Sequence, residues 1–245
     1  MPPAERPSTT RAPAAYKALC VDAVDPVRLG SFWAATLDLE LRRRDDGPVL
    51  LAGPTPQATV WVNQVPEPVT VKQRVHLDVH AGSVQEVLDR GATAVDLESF
   101  GWRVVRDPEG GELCVFERTE VPAQRLYEVG VDAVDPTAIA RWWAEVLGGR
   151  CADGADGADG DVCDASDGGE WTAVEEIPGA PFESLVFARV PEPKTVKNRI
   201  HWDVDVADVA ELAARGARVL REPDDEISWT VLADPEGNEF CAFTA

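Results

Sequence analysis

The sequence predicts an α+β fold made of two homologous halves, each built from two small modules of strand–helix–strands order. Three repeated landmarks predict it. Val21-Asp-Ala-Val-Asp-Pro26 returns letter for letter 110 residues later as Val131-Asp-Ala-Val-Asp-Pro136. VPEPVTVKQRVHLDV, from Val65 to Val79, returns 125 residues later as VPEPKTVKNRIHWDV, with four differences. Asp107-Pro-Glu-Gly110 returns 127 residues later as Asp234-Pro-Glu-Gly237. Fixed-order self-similarity of this kind marks duplicated structural units. The growing offset assigns an insertion to the second half, between its first and second landmarks.

Each half opens with a short apolar run (Ala18 to Val24; Glu128 to Val134). Asp-Pro then starts a helix, with Asp25 or Asp135 as N-cap and Pro26 or Pro136 in the first turn. Leu29, Phe32, Trp33 and Leu37, and in the second copy Ile139, Trp142, Trp143 and Val146, recur at helical spacing and form the buried face. Gly148-Gly149 ends the second copy. Strands follow, clearest at Thr59 to Val62 and Ser184 to Phe187. A His-x-Asp strand comes next, then a second helix (Val84 to Arg90; Val206 to Arg215) and further strands. The expected boundaries are a flexible tail at 1–14, one domain at 15–118, a linker at 119–124 and a second domain at 125–245. The second domain carries the Gly/Asp-rich insertion 151–170, which lacks the ligand order of an EF-hand and reads as a solvated loop.

Charge and composition exclude several functions. With 23 basic against 44 acidic residues the formal charge is −21, which repels phosphate backbones and anionic lipids. Nucleic acid and membranes are therefore not expected partners. There is no apolar run long enough to span a bilayer and no apolar core for a secretory signal, which suits a cytoplasmic chain. Five cysteines without a CxxC pair read as reduced thiols. GxSxG, P-loop and GxGxxG signatures are missing.

The His-x-Asp strands carry the strongest hint of a site. Ile200, Trp202, Val204 and Val206 alternate with Arg199, His201, Asp203 and Asp205, so one face is apolar and the other charged. Val75, Leu77 and Val79 oppose Arg74, His76, Asp78 and His80 in the first half. All three histidines of the chain share this charged face. Glu239, Cys241 and Phe243 lie on one face of the last strand, with Glu112, Cys114 and Phe116 as their first-half equivalents. Each histidine is read either as a ligand or as a partner of Asp78 or Asp203. The cysteines are read as packing or as ligands, and Glu239 as a functional carboxylate or a turn anchor. Trp61 and Trp171 are candidates to line a cleft for a flat ligand. Lys72, Arg74, Lys197 and Arg199 form a cationic cluster before the His-x-Asp strands, read as local ion pairs or as recognition of an anionic or carbonyl-bearing ligand.

With VPEPK-VKNR-HxD and DPEGNEFC in place, the sequence resembles the glyoxalase-like branch of the vicinal oxygen chelate superfamily. That superfamily includes bleomycin-resistance proteins and dioxygenases. The resemblance covers about residues 15–118 and 125–245. It implies two tandem domains of paired βαβββ modules whose curved sheets wrap around a cleft. Metal-using relatives take ligands from the first, fifth and last strands, which correspond here to Ala18 or Glu128, His76 or His201, and Cys114 or Cys241, with Glu112 or Glu239 on the same face. The resemblance therefore implies a divalent ion (Zn, Ni, Fe or Mn) in the second domain, held by His201, Glu128 and either Glu239 or Cys241. His76, Glu112 and Cys114 form a poorer set in the first domain. Glu128 and Glu239 are the candidate proton-transferring groups, and Arg74, Lys197, Arg199, Trp61 and Trp171 the candidate substrate contacts. The expected function is that of a metal-dependent lyase or isomerase acting on a small oxygenated metabolite. The alternative is a metal-free protein that sequesters a small molecule or antibiotic. The chain is expected to be a monomer or homodimer.

Overall fold

The computed structural model describes residues 11–44, 47–153 and 170–244. Most of the predicted tail and of the insertion 151–170 lies outside the described residues. The first of four modules comprises β1 (Ala14–Ala23), α1 (Pro26–Leu37), β2 (Glu40–Arg43), β3 (Val49–Ala52) and β4 (Val60–Gln64). The second comprises β5 (Val75–Ala81), α2 (Val84–Asp89), β6 (Thr93–Asp96), β7 (Arg103–Arg106) and β8 (Glu112–Glu117). The third comprises β9 (Leu126–Ala133), α3 (Pro136–Leu147), β10 (Arg150–Asp153), β11 (Trp171–Glu175) and β12 (Ser184–Arg189). The fourth comprises β13 (Ile200–Val206), α4 (Val209–Ala214), β14 (Arg218–Arg221), β15 (Thr230–Ala233) and β16 (Glu239–Thr244).

Local chemistry sets the two long helices. The Asp25 carboxylate accepts the Arg28 N–H at 3.0 Å, and Asp135 accepts the Ala138 N–H at 3.1 Å, each satisfying an orphan donor of a first turn that begins with proline. α3 ends on Gly148 at φ 70°, a left-handed cap that glycine adopts without steric cost; Asp38 takes that position after α1 at φ 57°. The fourth helix starts later than the periodicity predicts. Val206 is still in β13, buried opposite Ala14, and Asp208 supplies the cap by accepting the Ala210 N–H.

The four modules form two eight-stranded mixed sheets. Sheet A runs β14-β15-β16-β13-β1-β4-β3-β2, and sheet B runs β10-β11-β12-β9-β5-β8-β7-β6. Each half thus gives one module to each sheet. The halves predicted as successive domains are repeats of sequence, whereas the sheets join the first module to the fourth and the second to the third. The connections explain this. Pro66 and Pro68 follow β4 and cannot extend its ladder, and the Val65–Arg74 loop carries the chain from sheet A to sheet B. The short stretch between β8 and β9 keeps it in sheet B, where β9 lies antiparallel to β5 with Leu77 opposite Val129. The matching loop after β12 returns the chain to sheet A, where β13 lies antiparallel to β1.

The core lies between the sheets. α3 packs on β11 and β12 of sheet B, while its fully buried Trp143 meets Trp202 and Phe240 of sheet A at ring distances of 4.8 and 5.1 Å. The Trp143 Nε1–H donates to the buried Asp234 Oδ2 at 3.1 Å. The apolar face of the His-x-Asp strands points into this core, so the charged face points outward into the concavity of each sheet. Cys20, Cys114 and Cys241 are free thiols. Cys151 is disulfide-bonded, which corrects the expectation of a fully reduced set. No helix among the described residues is long and apolar enough to cross a membrane.

Candidate functional site

On sheet A, β1, β13 and β16 run side by side and turn Cys20, His201, Asp203 and Cys241 to the same face. Cys20 lies opposite His201 in the β1–β13 ladder, and Asp203 lies beside Cys241 in the β13–β16 ladder. The Cys20 thiol donates to Asp203 Oδ2 at 3.4 Å, and Cys241 Sγ stands 3.6 Å from His201 Nε2. Cys20, His201 and Asp203 each offer a ligand atom within 4.8 Å of the others, and all three are buried. Asp203 Oδ1 and His201 Nδ1 are buried without a hydrogen-bond partner.

The electrostatics follow from this burial. Desolvation pulls the His201 pKa down to about 4, so its ring is neutral at pH 7 and the 3.8 Å approach to Asp203 Oδ1 is no ion pair. Burial pushes Asp203 up to about 6, so it is mostly ionised at pH 7 while facing a neutral ring and two thiols. Burial, with the Asp203 charge, raises the pKa of both Cys20 and Cys241. Lys17, itself paired with Asp205 at 2.6 Å, offsets the Asp203 burial only in part, and a buried carboxylate with an unbonded oxygen is costly.

Above this floor opens a cavity of about 450 Å³. Trp61, Trp229 and Phe243 form apolar walls, with Trp229 stacked on Phe243 at 5.4 Å. Lys17, Arg44, Lys197 and Arg221 also line it, Lys17 paired with Asp205 at 2.6 Å, Lys197 with Asp22, and Arg221 with Asp224 and Glu226. The Lys17 ammonium lies 5.0 Å from the Phe243 ring centre. Glu239 also lines the cavity, but Lys194 donates to one of its oxygens at 2.7 Å and the Asn198 N–H to the other at 3.1 Å.

On sheet B the counterparts differ. His76, Asp78 and Cys114 cluster, with His76 Nε2 3.3 Å from Asp78 Oδ1. Burial alone would lower the His76 pKa, but the bond to Asp78 and its charge overcome this and raise it. The His76 ring lies against Gly130, which replaces Cys20 in this register, and a Cβ there would collide with the imidazole. Glu128 lies opposite Asp78 and accepts from Ser184 Oγ at 2.7 Å; burial pushes its carboxyl up to about 7.

The expected set of Glu128, His201 and Glu239 or Cys241 is therefore not brought together. Glu128 enters sheet B because β9 pairs with β5, not with β13, and faces the His76 cluster instead. His201 and Cys241 do meet, joined by Cys20 and Asp203, while Glu239 is held by Lys194 and Asn198. Glu112 pairs with Arg106 at 3.1 Å. Of the expected substrate contacts, Trp61 and Lys197 line the sheet A cavity. Trp171 is exposed on β11 of sheet B. Arg74 and Arg199 reach across to backbone carbonyls of the other half, Glu192 and Glu67. Cys20, Lys17 and Trp229 escaped the sequence reading. Cys20 sits two residues beyond Ala18 on the same strand face, but only the β1–β13 pairing puts it beside His201.

The family model of the glyoxalase-like domain matches residues 18–116 and 128–243. The chain belongs to the glyoxalase-like family. No curated protein matches its sequence. Among solved structures, this glyoxalase-like chain resembles glyoxalase I from Zea mays with a TM-score of 0.61 at 14% identity, covering 94% of this chain and 92% of the maize one. It resembles a candidate dioxygenase from Bacillus subtilis with a TM-score of 0.60 at 14% identity, covering 96% and 86%. At such identities the likeness is one of fold. It extends over nearly the whole length of both halves, and the family's fold hosts more than one chemistry.

Proposed function

We propose that this glyoxalase-like protein binds a compact, planar, anionic small molecule in the sheet A cavity, above a divalent ion held by Cys20, His201, Asp203 and Cys241. The observation that carries the reading is the buried Asp203 carboxylate, whose Oδ1 has no donor, whose contacts are a neutral imidazole and two thiols, and whose cationic neighbour, Lys17, is bonded to Asp205 instead. A cation is what this arrangement lacks, and two sulfurs, one nitrogen and one oxygen match the donor preference of zinc. β1 and β16 lie on either side of β13. Cys20 stands beside His201 and Cys241 beside Asp203, so the ligand atoms of Cys20, His201 and Asp203 lie within 4.8 Å of one another and Cys241 joins them through His201 at 3.6 Å.

When bound, such an ion supplies Lewis acidity toward an oxygen of the ligand. The chain's own residues do the rest. Trp61 and the Trp229–Phe243 pair sandwich a flat ligand and exclude water, while Lys17, Arg44, Lys197 and Arg221 draw in its negative charge. Glu239, already satisfied, fixes the Lys194–Asn198 loop and is not a free base. Glu128, with its pKa near neutrality, is the chain's candidate proton carrier, and it serves sheet B. We read the sheet A cleft as a site of ligand polarisation for a lyase- or isomerase-type reaction.

The second reading, metal-free sequestration, rests on the same aromatic walls. Elemental analysis of the purified chain, with zinc titration of wild type and His201→Ala, separates the two. About one equivalent of metal, lost in His201→Ala, supports the ion-holding site. Absence of metal and of any zinc affinity overturns it in favour of sequestration.

A further inference from the structure

The longest near-identical segments of the two halves, VPEPVTVKQR and VPEPKTVKNR, lie before the His-x-Asp strands, and beyond Lys197 and the hold of Lys194 and Asn198 on Glu239 they take no part in the sheet A site. These loops cross between the sheets and meet at the pseudo-twofold centre, where they enclose a second cavity of about 310 Å³. Its ionisable lining is Lys72, Arg74, Lys197 and Arg199 against Asp22 and Glu67. In a chain of net charge −21, this wall carries a positive excess.

The arginines explain both the architecture and the opening for a ligand. Arg74 Nη1 donates to the Glu192 carbonyl at 2.6 Å and Nη2 to the Asp132 carbonyl at 2.9 Å. Arg199 donates to the Glu67 carbonyl and, at 3.2 Å, to the Glu109 carboxylate. Each thus clamps the opposite loop or a neighbouring turn with its terminal nitrogens. The Nε of both arginines is buried with no partner. Arg74 meets no carboxylate among the described residues, so its charge is balanced only by carbonyl dipoles. Lys72 is bonded to Asp132 at 2.8 Å, and Lys197 to Asp22. Those two Nε atoms are closed off even from water, so the groups that can reach a ligand are the largely exposed Lys72 and Lys197 ammoniums, each with N–H donors beyond its one carboxylate. Beside the Arg74 charge, which no carboxylate among the described residues balances, they are complementary to a ligand that offers at least two anionic oxygens. The volume equals roughly ten waters at about 30 Å³ each, so it admits a dicarboxylate or a phosphate with its hydration.

We propose that the cavity between the two V-P-E-P loops binds a small multivalent oxyanion, separately from the sheet A cleft, and that the bound anion ties the two halves together. Lys197 lines both cavities, so the two sites adjoin but do not coincide.

The test is titration calorimetry and thermal unfolding of the full chain with inorganic phosphate and with succinate, each against sodium chloride at matched ionic strength. One saturable equivalent with a raised melting temperature is expected for a multivalent oxyanion, and none for chloride. Whichever of the two probes binds more tightly identifies the anion as phosphate-like or dicarboxylate-like. Lys72→Met, combined with Asp132→Asn so that the buried carboxylate held by Lys72 is not left unpaired, should weaken binding about tenfold or more, the effect of losing one charge-assisted contact. Arg221→Gln, at a residue that lines the sheet A cleft but not this cavity, should leave it unchanged. Absence of saturable binding of either anion, or binding insensitive to the Lys72→Met, Asp132→Asn pair, overturns the proposal. Loss of binding in Arg221→Gln with none in that double variant moves the anion into the sheet A cleft and equally overturns it, without touching the metal reading.

Discussion

The Cys20 thiol donates to the Asp203 carboxylate at 3.4 Å across 183 residues of sequence. The first strand of the chain and a strand near its end thus meet in one floor. That contact exists because β1 and β13 are neighbours in sheet A, and it makes the candidate site a joint product of both halves.

Zinc binding at this floor should release protons, because both cysteines have raised pKa values and ligate as thiolates. Titration of the metal-free chain in weak buffer should show about two protons released per zinc at pH 7, one from each thiol. Cys241→Ser and Cys20→Ser should each weaken zinc binding by at least about tenfold, as expected for losing a coordinating group. His76→Ala, on the other sheet, should not; an equal loss there would show that the ion sits elsewhere.

Glu128 makes stability depend on pH. Its folded pKa of about 7 lies above the ordinary carboxylate value, so between those two values the folded chain holds a proton that the unfolded chain releases. Stability attributable to this group therefore rises as pH falls from 8 toward 5. Ser184 facing it opposes the shift, while Asp78, Glu183 and Glu175 add to it. Glu128→Gln should flatten the slope of melting temperature between pH 6 and 8 and raise stability at pH 8. After allowance for its partial exposure, the gain is about 1 kcal/mol, or roughly 2–4 °C for a chain of this size. A steeper slope in the variant would refute the assignment.

Gly130→Ala should disturb sheet B alone. The added methyl displaces the His76 imidazole from Asp78, so the His76 pKa should fall as its stabilising partner moves away. The expected cost is about 1–3 kcal/mol by urea unfolding, typical of overpacking. Zinc affinity at sheet A should be unchanged.

Trp143 couples the sheets through its bond to Asp234 and its packing on Trp202 and Phe240. Trp143→Phe removes buried area and leaves a buried carboxylate one donor short. Chemical denaturation should show a loss of about 2–4 kcal/mol.

Neither sequence repeat should fold alone. Residues 1–121 lack the partners of β1 and β5 and would present both as open edges, so size-exclusion chromatography should show aggregation or self-pairing. Co-expression with 122–245 should restore a complex of native size. A stable monomer of 1–121 would contradict the shared-sheet architecture.

The sequence by itself determined the duplication, the Asp-Pro helix starts, the half-buried His-x-Asp strands and the family. Each is written in local pattern: a capping side chain acts within three residues, and alternation of apolar and charged residues fixes which face of a strand is buried. It also singled out His201, Cys241 and Glu128 as chemistry-bearing residues on the strand faces turned away from the apolar core. Tertiary structure alone decided which of them meet. Strand order is set by which edges the loops allow to pair, and the V-P-E-P crossings send β5 away from β1 and bring β13 back to it. Glu128 therefore joins His76 while Cys20 joins His201. Asp203 gains its burial and its one unbonded oxygen from a packing that no local pattern encodes.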